Sequence, residues 1–362
     1  MKKLVIGLSL VFSLLASCKK DPIVGDIFAY DPTPYQLNLP TNLGWSTFPI
    51  PETNPLTNAG VALGQKLFFD PILSANNTQS CATCHQPAYS FADPNKFSVG
   101  ITGQVGNRAA MPLFNLAWAD KYNLTSHRYF WDGGANDLER QALGPILNPI
   151  EMANNSLFDV IARLQKNPEY PCLFRKAFGS DSITSVKLAR ALAQFERTLV
   201  SGNSNFDKAE RRQRLRTPNE INGMAIFGSE KGDCFHCHGN LSSPFFTDFG
   251  FHNNGLSEVH QDSGLYLITG KPEDIGRMKT PSLRNLSFTA PYMHDGRFNT
   301  LMEVVEFYNS GTKNSPTVDP MISKSFDHGG LNLTPQEKLD LVAFLLSLND
   351  TAFVNDNRFK MP

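Results

Sequence analysis

Apolar residues recur at helical spacing along most of this chain and alternate with period two almost nowhere. Residues 58–69 (NAGVALGQKLFF) form one such stripe, which stops ahead of Asp70-Pro71. Between 184 and 200, Leu188, Leu192, Phe195 and Leu199 share a face, and Gly202 follows as a stop. Thr217-Pro218-Asn219-Glu220 and Thr334-Pro335-Gln336-Glu337 each combine an N-cap Thr, Pro at the first helical position and Glu three residues after the cap. That pattern predicts a helix start at both places. From 300 to 310, Leu301, Val304, Val305 and Tyr308 follow i, i+3, i+4, i+7 spacing, which puts Tyr308 on the inward face of a helix. Long loops rich in Gly, Pro and Asn join these segments, and the fold expected is all-α.

The start of the chain differs. Lys2 and Lys3 precede an apolar run from Leu4 to Leu15, and small residues lead to Cys18: the layout of a secretory signal peptide, 1–17, too short to span a bilayer. Leu15-Ala16-Ser17-Cys18 resembles a bacterial lipoprotein box, in which Cys18 is lipidated and becomes the mature N-terminus; an ordinary signal peptide with an incidental Cys is the alternative. Residues 18–55, with many Pro, Asn and Thr, then read as a tether or an irregular wrap over the surface. The location expected is exported, on the periplasmic or cell-surface side, anchored by lipid at Cys18 and facing an oxidising compartment. With 362 residues and 41% hydrophobic content the chain can fill two cores, and a formal charge of -1 gives no basic excess to recruit nucleic acid.

The six Cys change the picture most. Cys172 stands alone and is expected as a buried free thiol, while four others form Cys81-Ala-Thr-Cys84-His85 and Cys234-Phe-His-Cys237-His238. C-x-x-C-H attaches a haem, because the thiols add to its vinyl groups while the adjacent His binds iron from the same turn. A zinc cluster would want four ligands together, and a thioredoxin-like pair would want a βαβ context. Neither suits two separate copies, each preceded by a helix. The copies lie one small domain's length apart, so two cytochrome c-like helical domains are expected, 56–205 and 206–362, each with one covalent haem c. His236 reads as a solvent-facing filler; His127, His252, His260, His294 and His328 are unassigned.

From about residue 56 onward the chain resembles the bacterial di-haem cytochrome c peroxidases and their MauG-like relatives. The resemblance rests on both haem motifs, Phe130-Trp131-Asp132-Gly133, the spacing of Gln141, Pro145 and Glu151, TPSLRN at 280–285 and APYMHDG at 290–296. It implies that His85 is the proximal ligand of a peroxide-binding haem, faced by Gln141, Pro145 and Glu151, with Trp131 relaying electrons between the haems. A carboxylate there can move a proton between peroxide oxygens while an amide orients them. A helix-cap acid and a core aromatic are the plain alternatives for Glu151 and Trp131.

The same resemblance makes His238 the ligand of an electron-entry haem. The family's Met ligand falls at 308, where this chain has Tyr308, as MauG-like enzymes do; a packed Tyr beside a haem that takes Met293, Met278 or no protein ligand is the alternative. No His occurs between His85 and His127, where many members carry one that blocks the peroxide-binding iron, so that iron is expected open in the oxidised protein. A calcium site is carried over at the carbonyls of Thr289 and Pro291, one ligand short because the family's Asn falls near Ala109.

The function implied is reduction of hydrogen peroxide to water with electrons from a small cytochrome c or cupredoxin. Two other readings stand beside it. One is MauG-like oxidation of a protein or other substrate through high-valent iron, favoured by Tyr308. The other is a non-catalytic electron carrier, which Gln141 and Glu151 argue against. All three Trp (Trp45, Trp118, Trp131) lie early, leaving the C-terminal part none for hole transfer. Lys208, Arg211, Arg212, Arg214 and Arg216 suit an acidic donor or simply a solvated face. Membrane contact is expected only through the lipid, and a homodimer is left open.

Overall fold

The computed structural model describes residues 26–43, 48–122, 127–241, 243–323 and 326–362. The signal peptide, Cys18 and Trp45 lie outside the described residues. Among those described, no helix is long and apolar enough to cross a membrane. The fold is helix-rich, and its named strands are one two-residue antiparallel pair, Phe251–His252 with Met278–Lys279.

Helix starts follow the caps. Thr57, Thr184, Thr217 and Thr334 each accept a first-turn backbone N–H, and Glu220 and Glu337 close reciprocal capping boxes. The 58–69 stripe is the helix Asn58–Phe69, and the 184–200 stripe is Ser185–Thr198. The latter ends at Leu199 rather than running to Gly202. Gly202 serves packing instead: a Cβ there would lie 2.7 Å from Pro40 and from Leu43.

Two helix crossings organise the molecule. Asn58–Phe69 packs on Ser185–Thr198, and Pro218–Phe227 packs on Pro335–Ser347. Both crossings close on a glycine, since a Cβ on Gly64 would lie 1.9 Å from the Ala191 carbonyl oxygen and one on Gly223 2.0 Å from that of Asp340. Three buried rings seal each: Phe68, Phe91 and Phe195, with centroids 5.2 to 6.4 Å apart, and Phe227, Phe246 and Phe344, at 5.2 to 6.1 Å. Gly223→Ala is expected to force the second pair of backbones apart and cost about 1–3 kcal/mol, read as a lower urea midpoint at unchanged slope.

The parallel extends further. Asn115 and Asn285, both left-handed at φ 56° and 62°, open the 3-10 turns Leu116–Trp118 and Leu286–Phe288. Their N–H groups donate to Leu199 and Leu348, and their side-chain oxygens accept from the N–H of Ser201 and Asp350. A left-handed Asn tied back by its own side chain is therefore a shared device of both halves.

Some segments cross between the halves. Phe353, Val354 and Phe359 pack into the first core, where Phe353 lies 5.9 Å from Phe91. Leu37, Leu39 and Leu43 bury beside Trp118, so the described part of 18–55 is an irregular wrap. Cys172 corrects an expectation: it is disulfide-bonded, not a free thiol. A distant pairing leaves no spacing signal in a sequence. The basic stretch is largely committed locally: Arg211 donates to Asn42, Gly202 and Asn203, Arg214 pairs with Glu220 and Arg216 with Glu210.

Candidate active site

Each C-x-x-C-H sits at a single helical turn, Cys81–Cys84 and Phe235–His238. In both, the His is held the same way. His85 Nδ1 donates to the Phe91 carbonyl at 2.8 Å, and His238 Nδ1 to that of Phe246 at 3.2 Å. Both Phe are buried at positive φ, 61° and 52°, which turns their carbonyls inward. Burial pushes both imidazoles below their usual value against these carbonyls, keeping them neutral, and Nδ1 anchorage reserves Nε2 for another partner. No disulfide joins Cys81, Cys84, Cys234 or Cys237. Burial raises Cys81, Cys84 and Cys234, the last to about 12.

Gln141 and Pro145 lie on the helix Leu138–Leu147, capped by Asp137. Pro145 has no N–H for the Gln141 carbonyl, and the helix ends two residues later, at Leu147. The chain then folds back: Met152 N–H reaches the Pro145 carbonyl at 3.3 Å and Glu151 N–H that of Asn148 at 3.0 Å. Asn148 Nδ2 donates to Glu151 Oε1 at 2.6 Å. Burial raises the Glu151 carboxyl, with Asn148 opposing. Ala75 N–H donates to the Met152 carbonyl and Ile101 N–H to that of Glu151, each at 3.0 Å, which holds this turn against the segments flanking the first motif. Gln141 is 7% exposed and its Oε1 has no hydrogen-bond partner. An orphaned buried acceptor costs about 1–3 kcal/mol, so this amide awaits a donor.

A largely apolar cavity opens at the second motif. Cys234, Cys237, His238, Trp131, Met293 and Tyr308 line it, with Met278 further along the wall. Tyr308 does point inward as expected, but from a different backbone: Leu301–Glu306 is α-helical and Phe307–Gly311 is a π turn. Such turns redirect side chains by one position. Burial raises the Tyr308 phenol, whose oxygen accepts from Asn254 Nδ2 at 3.0 Å. Trp131 Nε1 donates to the Ala109 carbonyl at 2.8 Å, and its ring meets His294 edge-on at 6.4 Å. Arg108 fixes the neighbouring Asp132 at 2.5 Å while gripping Asp262 with two further N–H groups at 2.6 and 2.8 Å.

Thiols in a one-turn helix, a His with Nδ1 tied back and an apolar cavity are the parts a covalently attached haem requires, and the residues present fit it. The calcium expectation finds no support. Thr289 and Pro291 stand outside the cavity lining, and Ala109 brings no side-chain oxygen while its carbonyl is engaged by Trp131. His236, expected as a filler, lies 3.2 Å from both Glu230 and Asp233. His252 lies between Asp319 at 2.6 Å and Asp248 at 2.7 Å; against its burial Asp248, Cys237 and Asp319 together raise it above its usual value. Arg108 and Asn254 escaped the sequence reading because their partners are remote in the chain; His252 was left unassigned although Asp248 stands four residues before it.

Residues 58–214 match the family model described as di-haem cytochrome c peroxidase. The methylamine utilization protein MauG of Methylorubrum extorquens is 40% identical over 308 residues, covering 83% of this chain and 81% of that relative. Cytochrome-c peroxidase IdrP1 of a Pseudomonas species is 34% identical over 336 residues, covering 83% of each. Among solved structures, a MauG-like protein associated with microbial copper homeostasis superposes with a TM-score of 0.81 at 31% identity, over 91% of this chain and 99% of that one. Paired motifs, paired Phe-sealed crossings and these relatives agree: the chain belongs to the di-haem cytochrome c peroxidase family, MauG included.

Proposed function

We propose that this protein reduces hydrogen peroxide to water, with haem c attached at Cys81 and Cys84 and again at Cys234 and Cys237 in two cytochrome c-like units, 56–205 and 206–362. The observation that carries the reading is the buried, unpartnered Gln141 Oε1 together with Glu151 on the turn held against the segments flanking the first motif. When bound, the haems supply iron redox chemistry, taking up two donor electrons and passing them to the substrate. Gln141 Oε1 accepts a hydrogen bond from the peroxide and fixes its orientation. Glu151 takes the proton from the inner oxygen and delivers it to the outer one, which leaves as water; two protons from solvent, with the two donor electrons, convert the remaining oxygen to the second water. His85 and His238 would hold the two irons through Nε2, and Trp131, walling the second cavity, would carry electrons between the two sites.

Tyr308 is the second ligand at the His238 site in this reading. Tyr308→Phe is expected to abolish any phenolate-to-iron absorption of the oxidised protein without loss of either haem; an unchanged spectrum rejects that ligand. With no His between His85 and His127, no imidazole from that segment would close the first iron at rest. A high-spin resting signal from that haem is the expected result, and a fully low-spin spectrum overturns it.

Export through residues 1–17 and a small cytochrome c or cupredoxin donor belong to the same proposal. Adding peroxide to the oxidised protein with a reduced small cytochrome present tests it: rapid donor oxidation is expected. The presence of Tyr308 in the second cavity favours a MauG-like alternative, in which a persistent oxidised state ignores the donor. Absence of any spectral response to peroxide leaves only an electron carrier.

A further inference from the structure

Asn254 is a half-buried amide on the wall of the second cavity, and its Nδ2 reaches two side chains there. It lies 3.0 Å from the Tyr308 oxygen and 3.6 Å from Met293 Sδ. A thioether accepts hydrogen bonds and never donates, and an ionised phenol does the same. Two acceptors on one side determine which end of the amide faces them: the NH2 group, one hydrogen for each.

The segment around Asn254 is held rigidly. Asn253 is 1% exposed, its amide donates to Ser315 at 3.0 Å and Thr317 at 2.9 Å, and its carbonyl accepts from Asp319 N–H at 2.9 Å. On the other side the Gly255 carbonyl accepts from Lys313 N–H at 2.7 Å. Gly255 has φ 72°, and a Cβ there would lie 2.9 Å from the Lys313 carbonyl oxygen, so the close approach requires glycine. Both flanks of Asn254 are thus pinned to residues 313–319, and its donors are aimed before any ligand arrives.

We infer that Asn254 is a positioning residue for the second haem's ligand: its amide steadies Tyr308 as the iron-facing oxygen and keeps Met293, a second ligand-type side chain on the same wall, on its second N–H. The inference rests on the reading of Tyr308 as ligand. A hydrogen bond donated to a phenolate draws electron density from its oxygen, so it weakens the pull on ferric iron and raises the site's potential. Met293 stands at φ 72°, a left-handed position for a residue with a Cβ, so its backbone is fixed in a narrow conformational well.

The test compares purified two-haem protein with Asn254→Leu, Met293→Leu and Tyr308→Phe variants, reading the second haem's midpoint potential and its phenolate-to-iron absorption. In Asn254→Leu the potential is expected to fall and the band to move to longer wavelength, because an unsupported phenolate donates more strongly. Loss of the band with a rise in potential, the sign of Met293 taking the iron, supports the same role. Met293→Leu is expected to keep the band. The inference is overturned if Asn254→Leu leaves both observables at the parent values while Tyr308→Phe removes the band, or if Met293→Leu removes it. A band that survives Tyr308→Phe rejects the ligand reading itself, a distinct outcome. If Asn254→Leu fails to acquire both haems, Asn254→Ser empties the same position with a smaller side chain and is read in the same way.

Discussion

Changing Glu151 to Gln is expected to lower kcat/KM for hydrogen peroxide by about 10²–10⁴-fold, the usual worth of a positioned general acid–base group, with both haems still attached. Gln keeps the shape and still accepts from Asn148 Nδ2, now at 2.6 Å from Oε1, so only proton transfer is removed. Burial holds the Glu151 carboxyl above its ordinary value of 4.5. A base must be ionised to act, so activity should fall as pH drops, along a limb lying above the ordinary carboxylate range, and Glu151→Gln should flatten that limb. Stopped-flow donor oxidation across pH measures both. A variant within about threefold of the parent would assign Glu151 a structural role only.

The largest stability effect is expected at Asp207. Its carboxylate takes both Arg284 Nη groups at 2.8 Å, and both side chains are 0% exposed. Arg284 belongs to TPSLRN, whose Thr280, Pro281 and Leu283 wall the second cavity, while Asp207 sits on the helix Asn205–Glu210. The pair therefore ties the helix Asn205–Glu210 to the wall of the second cavity. Asp207→Ala leaves a buried guanidinium unpaired, which costs about 3–5 kcal/mol. Replacing both partners with apolar residues, Asp207→Leu with Arg284→Met, should recover much of that loss, because the isolated charge and not the missing attraction is the penalty. Urea unfolding of the three variants decides it; equal loss in single and double variants would count against this account. Burial alone would raise the Asp207 carboxyl, but Arg284 outweighs it and holds it below its usual value. Its stability contribution is therefore complete above the unfolded value and is lost as pH falls through the lower folded one.

Comparing the reading of the chain with its fold shows which kinds of signal travel. Helices 58–69 and 185–198 and the boxes at Thr217 and Thr334 came through because caps and stripes act within a few residues. The 300–310 segment came through only in part: the stripe placed Tyr308 inward, but the π turn at Phe307–Gly311 is set by packing and not by spacing. Cys172 was misread as free because its bond is to a remote residue.

Both C-x-x-C-H motifs, and so the two places for haem, are properties of the sequence alone, since thiol addition and iron ligation from one turn require contiguous residues. What makes the two places unequal is tertiary. A buried Gln141 oxygen with no partner marks one, and a cavity holding Trp131, Tyr308, Met293 and Asn254 marks the other. Those side chains come from helices, a π turn and loops scattered over more than a hundred residues, and only packing of the cores against one another brings them within hydrogen-bonding reach. Local chemistry is written in adjacent residues; the tuning of that chemistry depends on distances that no local pattern encodes.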